Sequence, residues 1–156
     1  MRKVIKIPIK NYTTKVPANR TINEIEQILA KYGATHIYKS FDGEGFPTAL
    51  AFKTMVGDKQ IAFKLPMEEN KLMMIFKNSV NKRELPSSYL NNKEQARRTG
   101  WRIIKDWIDS QMALIDIHLA KFEEIFLPYM YSEKEDMTLF EIMEKREFNL
   151  KIEDKR

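Results

Sequence analysis

The sequence of 156 residues contains no cysteine and only two histidines, His36 and His118. The absence of cysteine excludes disulfide bonds, thiolate zinc sites and cysteine nucleophiles. Two histidines are too few for a histidine-based metal site, so we expect neither a metal nor another cofactor. A long hydrophobic run is also lacking, because Lys6 and Pro8 interrupt the opening MRKVIKIPIK. We therefore expect a soluble, cytoplasmic protein with no signal peptide and no membrane partner.

Charge is unevenly distributed along the chain, whose net charge is +5. Residues 1–64 contain 11 Lys/Arg and 5 Asp/Glu, residues 65–110 contain 9 and 6, and residues 111–156 contain 7 and 11. A basic body with an acidic end favours an anionic partner such as nucleic acid. Scattered lysines that serve only solubility would give the same composition, and both interpretations stay open at this point.

The order of local patterns predicts one α+β domain over residues 1–148, followed by a frayed charged tail over residues 149–156. The opening KVIKIPIK alternates like a strand, and Pro8 favours an edge position, so an N-terminal edge strand is one option for the sheet. Thr21-Ile22-Asn23-Glu24 predicts a capping box at the start of a short helix that ends at Gly33.

Three apolar runs predict a small antiparallel meander, over Thr35–Ser40, Thr48–Val56 and Lys59–Leu65. The dipeptide Gly57-Asp58 predicts a two-residue hairpin turn between the second and third runs. That turn predicts these pairs on the core side of the sheet: Leu50–Leu65, Phe52–Phe63 and Thr54–Ile61. On the other side it predicts Lys53–Ala62, Ala51–Lys64 and Met55–Gln60. One face of the sheet should therefore carry lysines beside small alanines.

Helical patterns cover most of the remaining chain. They predict a helix over Glu68–Val80, a loop over Asn81–Asn92 and a long helix over Lys93–Leu127 that stops before Pro128. A second capping box, Thr138-Leu139-Phe140-Glu141, predicts a short last helix. The sheet should pack on the long helix and on the short N-terminal helix.

The stretch ARRTGWRIIKDW, residues 96–107, separates into two helix faces. Trp101 and Trp107 lie at the edges of a wide apolar stripe, which favours the core, while an exposed Trp101 could stack on a base. Arg98, Arg102 and Lys105 lie on the opposite, solvated face. The pairs Arg102–Asp106 and Lys105–Asp109 have i,i+4 spacing and would dilute the positive charge.

Three polar sets leave alternatives open. Arg97 points into the apolar stripe, so it either lines a cleft mouth or pairs with a carboxylate such as Glu94 or Glu84. Gln111 and His118 are either satisfied core polar groups or the lining of a small pocket. Asp42 and Glu44 in FDGEGF could join a metal site, but hairpin turn chemistry explains the same residues.

The run QARRTGWRIIKDWIDSQMALID resembles a small family of phage and prophage proteins, as do TINEIEQILAKYGA, FDGEGFPTALAFK, FEEIFLPYMY and TLFEIM. The similarity covers most of the chain. No activity is established for that family, so the resemblance implies a setting in mobile genetic elements. Such a setting favours DNA metabolism or interference with a host defence.

These observations lead to a non-enzymatic nucleic-acid-binding accessory protein, with DNA favoured over RNA. The expected binding residues are cationic or aromatic: Arg97, Arg98, Arg102, Lys105, Lys82, Arg83, Lys53, Lys64 and Trp101. Tyr89 could stack on a base if exposed. The alternative is a protein-interaction module, either an inhibitor of a host factor or an oligomeric structural subunit, and an enzyme is the third option.

Overall fold

A computed structural model describes residues 9–149 of the chain. The helices and strands follow in this order: α1 Ala18–Lys31, β1 Ala34–Phe41, β2 Pro47–Val56, β3 Lys59–Lys64, α2 Glu69–Asn81, α3 Lys93–Asp116, α4 Phe122–Phe126, β4 Tyr131–Ser132, β5 Met137–Thr138 and α5 Leu139–Lys145. Short 3-10 turns occupy Ser87–Tyr89 and Leu127–Tyr129. The α+β class is confirmed. The predicted opening strand and the predicted tail lie almost entirely outside the described residues.

Strands β1, β2 and β3 form the predicted antiparallel meander, with β2 in the centre. Gly57, with a φ of 63°, makes the tight turn that the Gly57-Asp58 signal predicts. Five of the six predicted pairs between β2 and β3 are confirmed as strand pairs, including Phe52–Phe63 and Lys53–Ala62. Leu65 lies just beyond the end of β3, and its amide donates to the Leu50 carbonyl over 2.9 Å. Beyond β3, Met130 pairs with Phe63 and brings β4 alongside the meander.

The main core lies between the inner face of this sheet and the helices α1 and α3. It is built from apolar residues that are almost completely buried, among them Ile25, Leu29, Leu50, Phe52, Phe63, Trp101, Ile108 and Phe126. A smaller cluster, formed by Phe76, Leu85 and Ala96, joins α2 to the start of α3. The inner face of the sheet is thus covered, and only its outer face is available to a partner.

The first predicted capping box is wrong. Helix α1 begins at Ala18 after Pro17, so Thr21 lies inside the helix with its hydroxyl buried. Glu24 instead forms an ion pair with Arg102 of α3, with Oε2 and Nη1 2.8 Å apart. The second capping box is confirmed, because Thr138 accepts from the Glu141 amide while Glu141 accepts from the Thr138 amide.

The predicted long helix is also wrong in its length. Helix α3 ends at Asp116, and His118 adopts a left-handed φ of 60°. The amides of His118 and Leu119 donate to the carbonyls of Ile115 and Leu114, which is a Schellman motif. Because the chain turns here, His118 is exposed and does not share a buried stripe with Gln111. Both earlier interpretations of this pair, core or pocket, are therefore excluded for His118.

Candidate nucleic-acid interface

Arg97 is bound on two sides by carboxylates. Its Nε donates to Oε2 of Glu69 and its Nη2 donates to Oδ2 of Asp42, each over 2.7 Å. Its guanidinium carbon also lies 4.1 Å from the ring centre of Phe46, and only 8% of the side chain is exposed. Each of the two alternatives holds in part. Arg97 pairs with carboxylates, although with Glu69 and Asp42 and not with the predicted Glu94 or Glu84, and it lines a surface cavity together with them. With two carboxylates already bound, Arg97 is not available to a phosphate.

Asp42 closes the turn between β1 and β2, as hairpin chemistry predicts. Its Oδ1 accepts from the backbone amides of Glu44 and Phe46, over 2.8 and 2.9 Å. The hydrogen bond from the Phe46 amide lowers the pKa of Asp42 most. The hydrogen bond from the Glu44 amide and the charge of Arg97 lower it further, whereas partial burial of the carboxylate raises it. Within residues 9–149, no group of three or more histidine or carboxylate side chains could hold a metal ion.

Three further cations of α3, those predicted to bind phosphate beside Arg97, also form ion pairs. Arg98 pairs with Glu94 over 2.6 Å, Arg102 pairs with Glu24, and Lys105 pairs with Asp109 over 2.7 Å. The Lys105–Asp109 pair is the predicted one. Arg102 does not use its predicted partner, Asp106, whose carboxylate accepts instead from the Asn11 amide group. The start of α3 is thus a set of internal ion pairs and offers little net positive charge to a ligand.

Trp101 is only 1% exposed and lies in the main core. Its proposed stacking on a base is therefore wrong, because no face of the indole reaches the surface. Trp107 is half-buried against Phe126 and Tyr129. Tyr89 packs edge-on against Phe76 and donates its hydroxyl to the Tyr12 carbonyl.

Lys82 and Arg83 follow the end of α2 and are exposed. Arg83 adopts a φ of 58°, and its amide donates to the Val80 carbonyl, so this pair closes the helix. They follow α2, whereas Lys53 and Lys64 belong to β2 and β3.

The outer face of the sheet brings together two lysines and three aromatic rings. Residues His36, Lys53 and Ala62 form one row across the strands, and Tyr38, Ala51 and Lys64 form the next. Tyr131 of β4 borders this set. We call these residues the outer sheet face: His36, Tyr38, Ala51, Lys53, Ala62, Lys64 and Tyr131.

Cations and rings alternate on the outer sheet face. The Nζ of Lys53 lies 5.3 Å from the ring centre of Tyr38, and the Nζ of Lys64 lies 5.4 Å from that of Tyr131. His36 stacks parallel to Tyr38, with ring centres 6.3 Å apart. Tyr38 is 47% exposed, so a ligand can reach part of its side chain.

Lys53 remains cationic in this setting. Hydrogen bonding to the Tyr38 hydroxyl raises the pKa of Lys53, and the charge of Glu133 raises it further. Glu133 lies 3.5 Å away and is itself largely exposed. The ion pair between Glu133 and Lys53 is therefore weak, and another anion can compete for Lys53.

Tyr38 and His36 were missed by the sequence-based prediction. The segment THIYKS contains the signal that could have found them. Alternate residues of a strand lie on opposite faces of a sheet, so His36 and Tyr38 share the face that the half-buried Ile37 does not. The prediction assigned this segment to a strand without assigning its two faces.

None of the helices described over residues 9–149 is long and apolar enough to cross a lipid bilayer. Comparisons with known protein families, with characterised proteins and with solved structures find no significant match.

Proposed function

We propose that this protein binds single-stranded nucleic acid through the outer sheet face, as a non-enzymatic accessory protein of a phage or mobile element. The observation that supports this proposal is the exposed ring of Tyr38 on an open sheet, with Lys53 beside it and Lys64 on the adjacent row. The preference for DNA over RNA is part of the proposal and rests on the mobile-element setting.

Stacking of a base on the Tyr38 ring is a contact that a single strand can make and a duplex cannot. A half-exposed tyrosine ring can stack on an unpaired base, and such stacking is worth about 1–3 kcal/mol per base. The bases of a duplex have their faces covered by neighbouring bases. Ala51 pairs directly with Tyr38, and its small side chain keeps the sheet shallow beside the tyrosine, which allows a flat base to approach.

The two lysines would meet the phosphates. Each phosphate contact to a single strand contributes about −0.7 to the slope of log affinity against log salt concentration. With two lysines in the surface, we expect a shallow slope near −1.4. A steep slope would require more cations than this face offers.

The experiment is fluorescence anisotropy with fluorescein-labelled dT10 at 50 and 200 mM salt. We expect Tyr38→Ala to weaken binding about tenfold, since about 1.4 kcal/mol of lost stacking corresponds to that factor. Lys64→Gln should lower both the affinity and the salt slope. Matched changes at exposed residues elsewhere, Leu119→Ala and Lys77→Gln, should change neither quantity. Absence of binding at 50 mM salt, or an unchanged affinity of Tyr38→Ala, would refute the proposal.

A protein-interaction module is the second candidate, and one observation favours it. Leu114, Ile117 and Leu119 are exposed together where α3 ends, and the last two are 62% and 72% exposed. Adjacent apolar side chains of this kind are typical of contact surfaces between proteins. A mass that rises with concentration in analytical ultracentrifugation would support an oligomer, and a constant monomer mass would contradict it.

A further inference from the structure

A cavity of about 570 Å³ opens beside the outer sheet face. Lys64 belongs to both, and Ala49, which also lines the cavity, lies on the same side of β2 as Ala51. A strand of nucleic acid lying across the sheet would reach this opening directly. The volume is in the range of small-molecule sites, about 300–1,000 Å³.

One wall of the cavity comes from α5. Phe140 and Glu144 are four residues apart on this helix, so both can face the same wall. Phe140 is 48% exposed and offers an aromatic surface. The Glu144 carboxylate forms no hydrogen bond or ion pair within residues 9–149, whereas Glu141 is occupied by its contact with Thr138.

The cavity lining also includes two cations, Lys64 and Lys71. Lys71 of α2 lines the cavity together with Glu68, and their Nζ and Oε1 atoms are 3.2 Å apart. Three glutamates against two lysines give the lining a net negative charge, which disfavours a phosphate. The same lining suits a flat neutral ring, because the glutamates can accept hydrogen bonds from one edge of such a ring and a lysine can donate to another edge.

We propose that this cavity receives a guanine base of the bound single strand, an inference that rests on the proposed function. The N1–H and N2–H groups of guanine are adjacent donors, and both can donate to the two oxygens of the Glu144 carboxylate. The neighbouring O6 then accepts from Lys71, and the ring lies against Phe140. Guanine alone has two neighbouring donors followed by an acceptor on this edge. In adenine, cytosine and thymine an acceptor lies next to the donor, so it would face the carboxylate without a hydrogen-bond partner.

The test compares labelled dT10 with the same oligonucleotide carrying one central dG, measured by anisotropy at 50 mM salt. A bidentate contact discriminates by about 1–3 kcal/mol, so we expect the dG strand to bind about tenfold tighter. Replacing that dG with inosine, which lacks the N2 amino group, should remove part of the gain. Glu144→Gln should abolish the difference between dT10 and the dG strand. Glu123→Gln, at an exposed site on α4, should preserve it.

The outcomes separate this inference from the proposed function. Equal affinities for dT10 and the dG strand would overturn the guanine cavity and leave the proposed function standing. A preference for dG that survives Glu144→Gln would also overturn it, because the base would be recognised elsewhere. If neither oligonucleotide binds, the proposed function fails, and the guanine cavity fails with it.

Discussion

The Nη2 atom of Arg97 lies 2.7 Å from the Oδ2 atom of Asp42, and 55 positions of sequence separate the two residues. This ion pair ties the start of α3 to the turn between β1 and β2. Glu69 holds the same guanidinium from α2. One side chain therefore fixes three elements relative to each other, and its role is structural.

Arg97→Met should destabilise the fold by about 2–3 kcal/mol. The change leaves Asp42 and Glu69 without their cation. The loss is below the ~3–5 kcal/mol typical of a fully buried pair because both carboxylates keep some contact with water. The neighbouring change Arg98→Met removes an exposed i,i+4 pair and should cost less than about 0.5 kcal/mol. Urea denaturation of both variants measures the difference, and equal losses would contradict the structural role of Arg97.

Asp42→Asn should remove a pH-dependent part of the stability. Because the pKa of Asp42 is lowered in the fold, its contribution is fully present above the ordinary aspartate value of 3.8. It is lost as the pH falls from there through the lowered pKa. The melting temperature of the wild type should therefore exceed that of Asp42→Asn at pH 7, and the gap should close in acid. The control Asp58→Asn, in the exposed hairpin turn, should leave the melting temperature at pH 7 unchanged. A gap between the wild type and Asp42→Asn that does not narrow as the pH falls below 3.8 would contradict the assignment.

His118→Gly should stabilise the protein by about 0.5–1 kcal/mol. The left-handed backbone at this position strains a side chain with a Cβ, and glycine relieves that strain at some cost in unfolded-state entropy. The matched change Ser110→Gly, inside α3, should instead destabilise by about 1 kcal/mol. Thermal unfolding followed by circular dichroism distinguishes the two. A lower melting temperature for His118→Gly would mean that the histidine ring makes a stabilising contact.

The meander could be predicted because its signals are local. Alternating side chains mark each strand, and Gly57-Asp58 specifies a turn whose length sets the register, so Phe52 had to meet Phe63. The capping box at Thr138 is equally local. These features depend on residues that are close in sequence.

The helix boundaries and the site depend on contacts that a sequence pattern does not contain. The sequence TINE fits a capping box, yet the buried Ala18 and the preceding Pro17 make the helix start earlier. Periodicity could not detect the left-handed turn at His118, because the apolar pattern resumes in α4. The partners of Arg97 lie 28 and 55 residues away, and only the tertiary fold brings them together.

The internal pairing of the α3 cations has a practical consequence for purification. A net charge of +5 will retain the protein on heparin or phosphocellulose through exposed cations such as Lys82 and Arg83. Retention on such a column therefore measures bulk charge and says nothing about the outer sheet face. Elution by a short oligothymidine at constant ionic strength is the chromatographic readout that responds to stacking on Tyr38.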